Sequence, residues 1–126
     1  MRPVDLVIRL EWLAATVAAV VFYAATGVSW WLFALLILAP DLSMLGYLAG
    51  PRVGAIAYNA FHTLIFSLAL LLAGSPLASS TTTAVALIWL AHIAIDRALG
   101  YGLKLSTGFQ DTHLGRIGRE RAGAVR

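Results

Sequence analysis

Four apolar stretches dominate the sequence, at residues 3–25, 29–49, 52–74 and 83–103. Each is close to the roughly 20 residues that an α-helix needs to cross the hydrocarbon core of a bilayer. The chain of 126 residues is 60% hydrophobic and only 12% charged. A soluble domain of this size has too much surface to hide so many apolar side chains. The sequence therefore predicts an all-α integral membrane protein, folded as a bundle of four transmembrane helices.

The segments between the apolar stretches are short, which leaves no linker that would divide the chain into several large domains. Gly27 and the pair Gly50-Pro51 interrupt two of these links, and the third link, at residues 75–82, is small and polar. We predict a transmembrane domain over residues 1–105 and a basic tail over residues 106–126. A short interfacial helix could form in this tail, and its last residues, 121–126, are expected to be disordered. Asp5 and Glu11 interrupt the first apolar stretch, so we interpret it as a retained helix and not as a signal peptide.

The positions of the basic residues predict the orientation of the bundle. They occur before and within the first stretch, between the second and third, and after the fourth, whereas the other two links are uncharged: Arg2, Arg9, Arg52, Lys104, Arg116, Arg119, Arg121 and Arg126. Cytoplasmic loops of membrane proteins carry an excess of lysine and arginine. Both termini are therefore expected on the cytoplasmic side. This placement also accounts for the net charge of +3 without nucleic-acid binding.

Ionisable and amide side chains recur inside all four predicted helices, at Glu11, Asp41, Asn59, His62, His92 and Asp96. Counted along each helix, they fall about 10–17 Å from the predicted cytoplasmic surface. His92 and Asp96 are four residues apart and share a helix face, as do His62 and Asn59, three apart. Such residues are costly in lipid, so we expect them to face the interior of the bundle and to mark a functional site.

A divalent metal site is the function that this set of residues favours. Imidazole and carboxylate ligands suit zinc, manganese or iron, and helix bundles build metal sites from facing side chains. We predict that His62, His92 and Asp96 ligate the ion and that Asp41 is either a fourth ligand or a general base. An ion with an open position activates water, which predicts a metal-dependent hydrolase acting in or near the membrane.

The neighbours of these ligands have predicted supporting roles. Glu11 is expected to be a base or to support a ligand, while Asn59 and Tyr58 are expected to orient ligands. Pro40 precedes Asp41, and its missing backbone donor is expected to loosen the helix and expose carbonyl groups. Arg97 is expected to point away from the face of His92 and to extend towards lipid headgroups.

Three other interpretations of the buried polar residues stay open. They could form a proton-linked carrier, for which so short a chain is expected to form a homo-oligomer. They could tie the helices together in a structural membrane subunit. His62 and His92 could ligate a haem, although carboxylates at the same depth suit a porphyrin poorly. The absence of cysteine excludes disulfides, thiolate catalysis and cysteine-type zinc sites.

A set of short motifs spans nearly the whole chain. It comprises Arg9-Leu10-Glu11-Trp12, Pro40-Asp41, Gly50-Pro51-Arg52, Tyr58-Asn59 with His62, His92 with Asp96-Arg97, Gly100-Tyr101-Gly102, and Thr112-His113-Leu114-Gly115-Arg116. Together they resemble a bacterial membrane family, the domain of unknown function four-two-six-zero. The resemblance implies a small multi-pass protein of the bacterial inner membrane and no particular activity. It also includes the tail motif around His113, a residue that we otherwise expect to be solvated.

Overall fold

The structure, a computed structural model, describes residues 1–75, 77–106 and 110–116. Its elements, in chain order, are α1 (Pro3–Ala25), α2 (Trp30–Leu36), a 3₁₀ helix (Ala39–Ala49), α3 (Pro51–His62), α4 (Leu64–Gly74), α5 (Ser80–Leu99), β1 (Asp111–Thr112) and β2 (Gly115–Arg116). The helices form four spans that are long and apolar enough to cross a membrane: Pro3–Ala25, Trp30–Ala49, Pro51–Gly74 and Ser80–Leu99. The prediction of a helical bundle with four apolar spans is therefore confirmed.

Helix α5 is the most buried of the four spans, and half of its most apolar stretch lies inside the bundle. Helices α1 and α4 pack against α5, and α3 packs against the 3₁₀ helix. Tyr23 of α1 and Ile88 of α5 belong to the buried core, whereas Trp31 and Leu48 are exposed on the outside. An apolar exterior around a small-residue interior is the arrangement expected for helices that face lipid and approach each other closely.

The second span is not one continuous α-helix, because Pro40 interrupts its backbone hydrogen bonding. Proline has no N–H, and the N–H of Asp41 donates to the carbonyl of Leu38 at 3.0 Å, one residue closer than in an α-helix. The carbonyl of Ile37 thus loses its usual α-helical donor, Asp41, and its 3₁₀ donor would be Pro40. The carbonyl of Ile37 is therefore one that Pro40 exposes, as was expected for this proline.

The third span breaks at Thr63, whose backbone is extended (φ −87°, ψ 149°) between α3 and α4. The last carbonyls of α3 consequently have no place in a continuing helix. Two side chains of α5 bind them instead: the indole Nε1–H of Trp89 donates to Phe61 O at 2.6 Å, and Arg97 donates to His62 O at 2.9 Å. Irregular backbone at membrane depth is tolerated where protein groups satisfy it in this way.

The fourth span begins and ends earlier than the predicted residues 83–103. At its start, the Ser79 hydroxyl accepts a hydrogen bond from the Thr82 N–H at 3.2 Å and caps α5. At its end, Gly100 adopts a left-handed conformation (φ +92°) that terminates the helix after Leu99. His92 therefore lies about two turns from the end of α5, and Asp96 lies about one turn from it.

The chain after α5 folds back onto the end of the bundle. Lys104 forms a β-bridge with Thr112, and β1 pairs antiparallel with β2 in the register Asp111 to Arg116. A short interfacial helix, which the polar tail suggested, is not found in residues 101–106 and 110–116. The predicted disorder of residues 121–126 lies outside the described residues.

Candidate metal centre

Four side chains from three spans converge on one point: Asp41 of the 3₁₀ helix, His62 of α3, and His92 and Asp96 of α5. Each offers one ligand atom, and the four atoms lie within 4.8 Å of one another. The two imidazole Nε2 atoms are 3.1 Å apart, and each is also 3.1 Å from Oδ1 of Asp41. Oδ2 of Asp96 lies 3.5 Å from Nε2 of His62 and 3.4 Å from that of His92. The geometry is that of a set of ligands around a common centre.

The centre is largely closed to its surroundings, and the two histidines are its most buried members. The side chain of His62 is fully buried and that of His92 is 4% exposed, whereas those of Asp96 and Asp41 are 17% and 33% exposed. Two imidazole rings and two carboxylates thus face each other in a largely buried position. Electrostatic interactions are strong in such surroundings, so the balance of charge inside the cluster matters.

Backbone carbonyls determine which nitrogen of each imidazole carries a hydrogen. Nδ1 of His62 is 2.8 Å from the carbonyl oxygen of Tyr58, and Nδ1 of His92 is 2.5 Å from that of Ile37. A carbonyl oxygen can only accept, so each Nδ1 is the donor in its hydrogen bond. In the neutral ring Nε2 then carries a lone pair, and that lone pair is directed at the centre of the cluster.

The aromatic ring of Tyr58 provides a second contact to the centre. It stacks on the His62 ring with centroids 3.7 Å apart and an angle of 7° between the planes. The ammonium of Lys104 lies 4.9 Å from the centroid of the Tyr58 ring. Burial lowers the pKa of Lys104, partly offset by the charges of Asp96 and Asp41. Tyr58 thus contacts His62 through both its ring and its carbonyl. The role of orienting a ligand stays a prediction.

Asn59 has a different set of partners from the ligand contact expected for it. Its amide group donates to Lys104 O at 2.7 Å and accepts from Lys104 N–H at 2.6 Å. This pair of bonds imitates a strand pairing and fastens the segment after α5 to α3. Asn59 therefore supports the backbone around the centre, and within the described part of the chain its side-chain hydrogen bonds go to Lys104 and not to the cluster.

Arg97 corrects a prediction, because it is buried and does not extend outward. It is 8% exposed, and its guanidinium donates to the carbonyls of His62 and Tyr101, both at 2.9 Å. The bond to His62 O stabilises the end of α3 at the residue that supplies a ligand. A charged residue inside a span is usually turned towards the interior of the bundle, so the position of Arg97 in the fourth span already favoured burial.

Glu11 is the one predicted site residue from α1, and the structure places it outside the cluster. The buried positions of α1 are Thr16, Ala19 and Tyr23, and Glu11 is exposed on another face. The expectation that the polar residues of all four helices turn inward together is therefore wrong for α1. The centre is built from the other three spans.

The geometry also excludes a haem between the two histidines. Their Nε2 atoms are 3.1 Å apart and share a contact with one oxygen of Asp41. A porphyrin ring bound to both would have to separate these atoms and exclude the carboxylate.

An apolar cavity of about 160 Å³ lies beside the centre. Its walls include Pro40 and Phe61, the immediate neighbours of Asp41 and His62, together with Ile88 and Trp89 of α5. Ile88 precedes His92 by one helical turn, about 6 Å along the axis. A cavity of this size with an apolar lining holds a hydrocarbon group more readily than water.

Residues 5–117 match a family described as "Domain of unknown function (DUF4260)". The chain belongs to this family. Comparisons with curated proteins and with solved structures found no match. Membership in DUF4260 confirms the resemblance in the sequence motifs.

Proposed function

We propose that Asp41, His62, His92 and Asp96 bind one divalent metal ion, and that the protein is a metal-dependent hydrolase of the membrane. The observation that carries the proposal is the meeting of two Nε2 atoms and two carboxylate oxygens while both Nδ1 atoms donate to backbone carbonyls. Four apolar spans around the cluster support a location in a membrane, for which the sequence favours the bacterial inner membrane.

The hydrogen bonding of the cluster favours a bound cation. With hydrogens on both Nδ1 atoms, the neutral rings present only lone pairs to the centre, and the carboxylates also present only lone pairs. Four acceptors within 4.8 Å of one another repel unless a cation lies among them. A polar tie between helices would instead require a donor to face each acceptor. A bound metal ion satisfies all four atoms together.

The separations between the four ligand atoms also fit a metal ion. A tetrahedral site with metal–nitrogen and metal–oxygen bonds of about 2.05 Å has edges of about 3.3 Å. Five ligand-to-ligand separations in the cluster lie between 3.1 and 3.5 Å. The nitrogen and oxygen donors suit zinc, manganese or iron. The carbonyls that hold Nδ1 are the partners that orient histidine ligands in many metal sites.

The exposure of Asp41 and the neighbouring cavity favour a hydrolytic reaction at this site. His62, His92 and Asp96 form a three-ligand set, and Asp41, with the most exposed side chain of the four, is either the fourth ligand or a general base. In the latter arrangement an ion held by the other three residues would keep room for a water and would make that water acidic enough to act as a nucleophile. The adjacent apolar cavity would hold a hydrocarbon part of a substrate from the lipid phase.

The experiment is elemental analysis of the detergent-purified chain beside a His62→Ala/His92→Ala variant. A His113→Ala variant is the matched control, because His113 is exposed and lies outside the cluster. We expect about one zinc, manganese or iron per chain in the wild type and the control, and none in the double variant. Absence of metal from all three after metal-supplemented growth without chelators would refute the metal site.

The hydrolase is tested separately on the metal-loaded protein. Micellar long-chain esters and phosphodiesters with a fluorogenic leaving group serve as probes, with and without a chelator. We expect Asp41→Asn to lower turnover by at least about a hundredfold, within the range for loss of a general base. Bound metal without hydrolysis of any probe would support a metal site and contradict this reaction class.

A proton-linked carrier is the second candidate, favoured by the breaks of two spans at Leu38 and Thr63 beside the centre. Discontinuous spans often surround the binding sites of transporters. In that case one proton would lie between the two Nε2 atoms in place of a metal ion. Metal-free protein that takes up protons in liposomes, and loses this uptake in His92→Ala, would favour the carrier.

A further inference from the structure

We propose that a second site, at the end of the bundle where α1 begins and α5 ends, binds an anionic phosphate group. A cleft of about 500 Å³ lies there, and its walls include Arg2, Asp5 and Arg9 of the first residues, Arg97 of α5, and His113 of the hairpin turn. None of these residues contributes a ligand to the metal centre. The inference is thus independent of the proposed hydrolase.

The charge of the cleft favours an anion. Three guanidinium groups, those of Arg2, Arg9 and Arg97, line it against the one carboxylate of Asp5, a balance of +2 among the described residues. Arg2 and Asp5 pair with each other at 2.8 Å. Neither Arg9 nor Arg97 forms an ion pair within the part of the chain that the structure describes. An anion in the cleft would supply the missing counter-charge.

Hydrogen-bond donors are available for such an anion. Arg9 donates through Nη2 to the carbonyl of Leu99. Among the described residues, the hydrogen-bond acceptor of its Nη1 is the thioether of Met1 at 3.8 Å, and a thioether is a weak acceptor. Nδ1 of His113 accepts from the Leu103 N–H at 2.8 Å, so the hydrogen of the neutral ring is on Nε2. A phosphate oxygen would be a much stronger acceptor for either group.

The position of the cleft points to a particular form of phosphate. Arg2 directly precedes the first span and Gly100 directly follows the fourth, so the cleft lies at the level where a bilayer has its headgroups. Ile8 and Leu114 give it apolar walls beside the charged ones. A phosphate ester with an attached hydrocarbon chain fits both surfaces, and free phosphate shares only the charged contacts.

The test is native mass spectrometry of the full chain in a non-ionic detergent with phosphatidylglycerol or phosphatidylcholine. Both lipids are phosphodiesters, but only the first has a net negative charge. We expect the wild type to bind phosphatidylglycerol about tenfold more tightly, since one charge-assisted hydrogen bond corresponds to at least that factor. Arg9→Gln should lose this preference. Arg52→Gln, which removes an exposed arginine of α3 outside the cleft, should keep it.

Two further variants protect the test against misfolding. Arg2 is exposed, so Arg2→Gln should fold normally and weaken phosphatidylglycerol binding severalfold. Asp5→Asn removes the carboxylate from the cleft and should strengthen binding, a direction that a damaged fold cannot produce. Far-ultraviolet circular dichroism verifies the helix content of each variant.

Competition by inorganic phosphate at constant ionic strength distinguishes the two sources of the ligand. If millimolar phosphate displaces the lipid from wild type but does not affect Arg9→Gln, the cleft also takes soluble phosphate compounds, which supports the site. If phosphate has no effect, the lipid headgroup is the ligand. Equal binding of the two lipids, or an equal loss in Arg9→Gln and Arg52→Gln, would overturn the proposal.

Discussion

Replacement of Gly100 by alanine measures how the end of α5 is held against α1. Gly100 has φ +92°, and an added Cβ would lie 2.5 Å from Nη2 of Arg9, the atom that donates to Leu99 O. The left-handed conformation costs an alanine about 1–2 kcal/mol. Displacement of the guanidinium, the flexible end of an exposed side chain, weakens one hydrogen bond that contributes about 0.5–1.5 kcal/mol. We therefore expect the free energy of unfolding to fall by about 1.5–3.5 kcal/mol in total.

Gly27→Ala is the matched control for this substitution. Gly27 also has a positive φ, +71°, but an added Cβ there would have no neighbour within 4 Å. It should lose only the conformational contribution of about 1–2 kcal/mol. The difference between the two variants isolates the contact with Arg9.

Denaturant unfolding in detergent micelles, followed by far-ultraviolet circular dichroism, provides the measurement. In an Arg9→Met background the contact is already absent, so Gly100→Ala should cost no more than Gly27→Ala does. Equal losses for the two glycine variants in the wild-type background would refute the reasoning, because they would mean that the Arg9–Leu99 bond contributes nothing to stability.

Three other substitutions test the centre and its support. Pro40→Ala restores a backbone donor beside the carbonyl of Ile37, which accepts the hydrogen bond from His92. It should lower the affinity for zinc about ten- to a hundredfold in a chelator competition. An unchanged affinity would contradict the role assigned to that carbonyl. Trp89→Phe removes the indole donor to the end of α3 and should lower the free energy of unfolding by about 1 kcal/mol, whereas Trp31→Phe on the exposed surface should not, as denaturant titration will show. Asp96→Asn should reduce the metal content measured by elemental analysis, whereas Glu11→Gln should leave it unchanged. Loss of metal in Glu11→Gln would mean that α1 does contribute to the site.

The spans and the members of the cluster could be predicted from the sequence because both depend on residue type and spacing. Apolar length determines a span, and an ionisable residue inside a span is unusual enough to attract notice. The bounds of the helices were harder to predict. Thr63, a residue with no strong helix-breaking tendency, is extended, and the carbonyls released there bind Arg97 and Trp89, which lie far away in the sequence.

Glu11 shows what depth along a helix does not determine. Its predicted depth is similar to that of the other polar residues, but the rotation of α1 about its axis is fixed by Thr16, Ala19 and Tyr23, which pack inward. None of these three residues has an acidic, amide or imidazole side chain, the types on which the prediction of the site depended. The side of α1 that faces the bundle therefore followed from packing and not from the charged residue.

The carbonyls of Ile37 and Tyr58 hold the two imidazoles in place, and every type of residue has a carbonyl. Substitution of the Ile37 side chain would consequently leave the hydrogen bond to His92 intact. We therefore expect position 37 to vary among relatives without loss of its contribution to the centre. A change that alters the path of the backbone, such as loss of the proline three residues later, should remove that contribution. A comparison of sequences would therefore identify the proline and not the residue that makes the contact.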